Sequence, residues 1–189
     1  RGDFVREIDT LVGRVLDLVA DLGIDEETLI LFNSDNGPET MHVVWMREDH
    51  EHDPAGGCRG VKRDGWEGGH RVPFIATWPG RIPKGQVSDQ MTNTTDILAT
   101  IASVVGYKLP DDVAVDSYDM LPAMLGVQDE EDSIRPHMLT QSFRGQFQIR
   151  RGDWKYLDHR GSGGNDYSKG VLHEYALPEP APEAPGQLF

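Results

Sequence analysis

The sequence predicts an α/β fold over its first two-thirds and a small antiparallel piece after it, on three observations. An amphipathic stretch at residues 3–22 leads into a continuously apolar run, Thr28–Phe32. A second apolar run, Val72–Trp78, stops at Pro79-Gly80. Beyond about Arg135 the pattern changes to short alternating segments around a Gly-Asp turn. A helix followed by an apolar strand is the pattern of a parallel sheet covered on both faces. Alternation on either side of Gly-Asp is the pattern of a hairpin.

Each element has its own signals. In the first helix Val5, Ile8, Val12, Val15, Leu16, Val19 and Leu22 fall at helical spacing, and Gly23 stops it. Val72–Trp78 reads as a second interior strand. A second helix is expected over residues 93–105, with Asn93, Thr94 or Thr95 as its cap and Asp96 in its first turn. Its apolar face is Ile97, Leu98, Ile101, Val104 and Val105, and Gly106 closes it. In the hairpin, Phe147 and Ile149 alternate on one strand, Trp154 and Tyr156 on the other. Residues 178–185, PEPAPEAP, are acidic and Pro-rich, with an extended preference and no means of packing a core. The expected division is an α/β domain at 1–135 and a partial antiparallel subdomain at 136–189.

Composition removes some functions. With 189 residues and a formal net charge of -14, the chain has no basic face for nucleic acid. No apolar run approaches the roughly 20 residues that span a bilayer. The single cysteine, Cys58, excludes an internal disulfide and reads as an ordinary free thiol.

Two stretches carry candidate chemistry. Ser34-Asp35-Asn36-Gly37 follows the first strand directly, and in open α/β sheets ligands sit beyond the carboxyl ends of strands. A carboxylate beside an amide carbonyl offers hard oxygen donors suited to calcium or magnesium. The same residues also make a plain β-turn that satisfies its own backbone. The second stretch, Cys58–Pro73, carries Arg59, Lys62, Arg63 and Arg71 against Asp64 and Glu67, a local excess of two positive charges in an acidic chain. Its glycines, Gly60, Gly65, Gly68 and Gly69, let backbone approach a ligand in an anion clamp, or the segment is a surface loop paired with neighbouring acids. Between the two lies Glu48–Asp53, a solvated rim loop holding His50 and His52, and His42 follows the Asp-Asn-Gly turn. These three histidines are candidate substrate-rim residues.

TLILFNSDNGPE followed by RGVKRDGWEGGHRVPFIATWPGRIP resembles the type I, formylglycine-dependent sulfatases, the arylsulfatase family of the alkaline-phosphatase-like superfamily. The leading helix, TTDILATIASVVG and IRRGDWKYL match that family in order and spacing, so the resemblance runs to about Leu157. It implies part of an alkaline-phosphatase-like mixed sheet flanked by helices, then a small antiparallel C-terminal subdomain. It implies Asp35 and Asn36 as two ligands of a divalent cation, most often calcium. Lys62 is implied as the sulfate-binding catalytic lysine, with Glu67, Gly68, Gly69 and Arg71 as the scaffold of its loop. The implied activity is sulfuric ester hydrolysis on a sulfated small molecule or carbohydrate.

The family's nucleophile motif, Cys or Ser-x-Pro-x-Arg, has no counterpart in this chain, and Cys58 lacks its proline and arginine. The resemblance therefore covers only a C-terminal portion. The formylglycine is expected upstream, the chain is expected to be inactive alone, and the N-terminal half is its expected partner. Alternatives are a phosphonate or phosphodiester hydrolase of the same superfamily and a non-catalytic anion- or glycan-binding module. The residues assign no compartment; the resemblance favours periplasmic or secreted proteins.

Overall fold

The computed structural model describes residues 2–176, 181 and 183–189; of the Pro-rich stretch, residues 178–180 and 182 lie outside the described residues. The chain forms two compact units. One comprises Arg1–Phe32, Phe74–Gln90 and Thr94–Ile134, the other Asn33–Pro73, Met91–Asn93 and Arg135–Phe189. Residues 33–73 group with the antiparallel C-terminal segment and not with the helices that flank them in sequence.

In the first unit, α1 spans Gly2–Asp21. It ends as the sequence predicts: Gly23 adopts φ +66°, and Ile24 N donates to Val19 O at 3.2 Å, closing a Schellman-type turn. Strands β1 (Ile30–Asn33) and β2 (Phe74–Thr77) pair as a two-stranded sheet. Helix α3 (Ile97–Val104) follows a 3-10 turn at Thr94–Asp96, and the short α4 covers Leu121–Met124.

The elements stand where the sequence places them, but their burial does not follow. Helix α1 buries none of its residues. Strand β1 is half-buried throughout and Ile75 of β2 is 59% exposed, so neither is the interior strand expected. In α3 the buried residues are Thr100 and Ala102, whereas Leu98 and Ile101 are exposed. An apolar face states that cover is favourable; among the described residues of this unit no further layer supplies it.

The first unit buries Trp78, Ala102, Met120 and Ala123 together with two hydrogen-bonded polar residues, Asp96 and Thr100. Asp96 Oδ1 accepts from Tyr118 N at 2.9 Å, its carbonyl accepts from Thr100 Oγ1 at 2.7 Å, and that hydroxyl accepts from Met120 N at 3.0 Å. Trp78 closes β2 by donating Nε1 to Glu26 O at 2.8 Å.

The second unit is built on an antiparallel sheet in the order β3 (Met138–Gln141), β4 (Phe147–Arg151), β5 (Trp154–Leu157), β6 (Gln187–Leu188). Arg151 pairs with Trp154 across the Gly152-Asp153 turn, the hairpin read from the sequence. Its faces are inverted relative to a simple apolar-in pattern. Phe147, Ile149, Trp154 and Tyr156 are exposed, while Gln148, Lys155 and Leu157 are buried. Helix α2 (Thr40–His50) was not expected from sequence. Glu39 caps its first turn, the side chain accepting from Thr40 N at 3.0 Å. Val43 and Val44 of α2 join Val61, Trp66, Leu157 and Leu172 in this unit's apolar core.

Candidate functional site

Strand β1 delivers Asp35 and Asn36 at its C-terminal end. The turn partly satisfies itself: Ser34 Oγ donates to Asn36 O at 3.3 Å and Asn36 Nδ2 to Gly37 O at 2.9 Å. The Asn36 side-chain oxygen accepts no hydrogen bond among the described residues. The Asp35 carboxylate is exposed and has no hydrogen bond or ion pair among the described residues.

The turn is stitched directly to the Lys62 segment. Gly37 N donates to Gly69 O at 2.9 Å, and Lys62 N donates to Pro38 O at 2.9 Å. The two stretches singled out in the sequence therefore meet through their backbones. The glycines make this approach possible. A Cβ on Gly37 would fall on the carbonyl oxygen of Gly68, one on Gly68 on that of Gly60, and one on Gly69 on that of Asp64. At these three positions a missing Cβ admits neighbouring backbone.

Asp64 is the hub that shapes the loop. It is 2% exposed. Its oxygens accept from Val61 N at 2.9 Å, Asn165 N at 3.0 Å, Asn165 Nδ2 at 2.9 Å and Tyr167 OH at 2.6 Å. Asn165 Nδ2 also donates to Lys62 O at 2.9 Å. Burial and the hydrogen bond to Asp64 push the Tyr167 phenol far above its ordinary value. Arg63 takes φ +87°, a strained region for a side-chain-bearing residue. It is held there by a bidentate pair with Glu39 at 2.6 and 3.0 Å. That pairing keeps the Glu39 carboxyl below its usual range. Lys62 itself is half-buried, and its ammonium has no hydrogen bond or ion pair among the described residues.

A second node fixes the following turn. Lys155 Nζ contacts Glu67 Oε1 at 2.7 Å and His70 Nε2 at 2.6 Å, and Arg150 Nη1 contacts Glu67 Oε2 at 2.8 Å. His70, 3.8 Å from the carboxylate, and then Lys155 hold Glu67 far below the usual carboxylate range against the cost of burial; the Lys155 contact is the shorter. Burial lowers Lys155, with Glu67 opposing. Glu67, Gly68 and Gly69 are thus enclosed in the loop, while the Arg71 side chain is exposed and only its N–H is engaged, at 2.7 Å to Glu67 O.

The three rim histidines are not gathered here. His42 is exposed on α2, with its ring 6.4 Å from that of Trp45. Glu48–His50 are the last turn of α2 and not the loop expected, because the helix continues until Glu51 enters the left-handed region at φ 51°. His50 and His52 are exposed, and the Asp53 carboxylate beside them is bound by Arg47 at 2.8 Å. No group of three or more His, Cys, Asp or Glu side chains able to hold a metal occurs among the described residues. Asp35 and Asn36 therefore fit a hard divalent cation in donor chemistry, as part of a ligand set.

Sequence reasoning missed Glu39, Asn165, Tyr167, Arg150 and Lys155. Only the Gly-rich Gly161–Gly164 run hints at a tight turn there, and Asn165 lies 101 positions from the Asp64 it binds.

A protein-family model described as Sulfatase matches residues 1–107. Human arylsulfatase A is 34% identical across 99% of this chain and 34% of its own length. The N-acetylgalactosamine-6-sulfatase of dog is 44% identical across 67% of this chain and 23% of its own length. Among solved structures, one described under the metabolism of multiple glycosaminoglycans by Bacteroides thetaiotaomicron superposes with TM-score 0.72 at 31% identity, covering 83% of this chain and 32% of that one. A Pseudoalteromonas sulfatase gives TM-score 0.65 at 32% identity, covering 80% and 29%. The chain spans between about a quarter and a third of the length of these relatives.

Proposed function

The chain belongs to the sulfatase family, and on that premise we propose that it supplies the cation-binding turn and the sulfate-orienting lysine of a sulfuric ester hydrolase acting on a sulfated carbohydrate or small molecule. The observation that carries the reading is the 2.9 Å bond from Lys62 N to Pro38 O. It brings the backbone of Lys62 against the turn that carries the exposed Asp35 carboxylate and the Asn36 amide.

Asp35 and Asn36 would hold the divalent cation, calcium by family resemblance. When bound, such an ion supplies electrostatic stabilisation to the sulfate oxygens. Lys62 orients the sulfate and offsets the charge that grows on the bridging oxygen as the S–O bond breaks. Asp64, the Arg63–Glu39 pair and Asn165 fix the backbone of Lys62, so little reorganisation is required during the reaction. Glu67, Gly68 and Gly69 hold the loop and do not touch the substrate. By family resemblance the nucleophile would be a formylglycine, for which this chain carries no Cys/Ser-x-Pro-x-Arg motif.

The test is turnover by the full-length protein of an aryl sulfate against an aryl phosphodiester. The expected result is a kcat/KM preference for the sulfate ester. A clear phosphodiester preference would overturn the assignment.

A further inference from the structure

Glu39, Lys62 and Arg63 form a group of three charged side chains in the second unit. Lys62 N donates to Pro38 O at 2.9 Å, so the lysine backbone lies beside the residue that precedes Glu39. The Glu39 carboxylate feels both cations. Its hydrogen bonding to Arg63 is the largest cause that holds it below its usual range, and the positive charge of Lys62 lowers it too. Only the arginine is bonded to it. Arg63 Nη1 donates to Oε1 at 2.6 Å and Nη2 to Oε2 at 3.0 Å, while Oε1 also accepts from Thr40 N at 3.0 Å. The Lys62 ammonium has no hydrogen bond or ion pair among the described residues.

Elsewhere in the same unit an acid, a lysine and an arginine divide differently. Glu67 takes Lys155 at 2.7 Å and Arg150 at 2.8 Å together. There the carboxylate captures the lysine; at Glu39 it does not.

Arg63 also stands where glycine would carry no strain, at φ +87°. Strained dihedrals persist where the surroundings over-determine them, and they concentrate at functional sites. The backbone here is pinned by other bonds as well: Lys62 O accepts from Asn165 Nδ2 at 2.9 Å, and Arg63 O accepts from Phe143 N at 3.0 Å. The turn therefore does not depend on the Arg63 side chain alone, and among the described residues the guanidinium bonds only Glu39. A guanidinium fits a carboxylate as a two-bond fork, whereas an ammonium meets it as a point charge.

We propose that Arg63 is a positioning residue: by binding Glu39 through both of its ends it keeps that carboxylate off Lys62 and leaves the ammonium uncompensated for an oxyanion. That the oxyanion is the sulfate group of a substrate rests on the sulfatase reading; the division of charge among the three side chains does not.

The experiment uses the full-length protein with Arg63→Gly, which removes the guanidinium and accepts the positive φ without strain. Two quantities are followed: kcat/KM for an aryl sulfate, and the rate at which acetic anhydride acetylates Lys62, read by peptide mass spectrometry. Arg63→Gly is expected to lower kcat/KM tenfold or more. It is also expected to slow Lys62 acetylation several-fold, because an ammonium paired with Glu39 gives up its proton less readily. Adding Glu39→Gln to Arg63→Gly is expected to recover most of both losses. A brace that only shapes the loop is already broken by Arg63→Gly, so removing its second partner would recover nothing. Absence of that recovery, or Lys62 acetylation that does not slow in Arg63→Gly, overturns the inference. Arg63→Gln carries the same comparison if Arg63→Gly does not fold. Failure of the sulfatase reading would appear separately, as absent aryl sulfate turnover by the unsubstituted protein, and the acetylation rates would still decide the role of Arg63.

Discussion

Lys155 and Glu67 lie 88 positions apart in sequence, yet the Lys155 ammonium meets the Glu67 carboxylate at 2.7 Å. The same nitrogen reaches His70 Nε2 at 2.6 Å. Strand β5 thereby clamps the turn that follows Lys62, with its polar side buried and its apolar side outward.

The clamp gives a pH-dependent prediction. Glu67 is held far below its ordinary value, so its contribution is fully present above the unfolded glutamate value of about 4.3. It is lost as the pH falls below that value through the depressed folded one. Glu67→Gln is expected to lower urea-unfolding stability at pH 7, with the gap to wild type narrowing between about pH 5 and pH 3. A gap constant with pH would show that the carboxylate charge is not what stabilises the loop.

Lys62→Ala should separate activity from stability. The ammonium has no internal partner among the described residues, so the melting temperature is expected to stay within a few degrees of wild type. Loss of one preorganised donor to the reacting group costs about 10²–10³ in kcat. Near-wild-type kcat on an aryl sulfate in the full-length protein would remove Lys62 from the mechanism.

Asp35→Ala tests the cation. Removing the one charged donor of the turn is expected to weaken calcium binding by the full-length protein at least about tenfold, in line with the dependence of such sites on ligand charge. Calorimetry showing unchanged affinity would assign the cation to other residues.

Gly37 and Gly13 form a matched pair for thermal unfolding. A methyl group on Gly37 meets the Gly68 carbonyl oxygen, whereas nothing lies within 4 Å of one on Gly13. Gly37→Ala is expected to cost several kcal/mol, beyond the roughly 1–3 kcal/mol of ordinary overpacking. Gly13→Ala, inside α1, is expected to stabilise by about 0.5–1 kcal/mol. Equal melting temperatures for the two variants would mean the backbone contact at Gly37 is not tight.

The positions of the local elements were legible because their signals are local. Gly23 ends α1 and Gly152-Asp153 turns the hairpin, since each needs only neighbouring residues and one permissive dihedral. Helix α2 was not legible: its apolar pair Val43-Val44 is short, and the run of acids and histidines after it reads as solvated loop. The candidate site was half legible. Asp35, Asn36 and Lys62 stood out by residue type and family pattern, whereas Asn165, Tyr167 and Lys155 carry no local mark.

By itself the sequence determined the α/β-then-antiparallel order, the acidic character and the two stretches proposed to carry the chemistry. Only the tertiary structure decided that those stretches touch, that Gly68 and Gly69 of the Lys62 loop face backbone, and that the hairpin buries lysine and glutamine while exposing its aromatic residues. The physical reason is range. Periodicity and turn propensity act over a few residues, but a buried carboxylate such as Asp64 or Glu67 is stabilised by donors that arrive from about a hundred positions away, and which face is buried depends on where those donors stand.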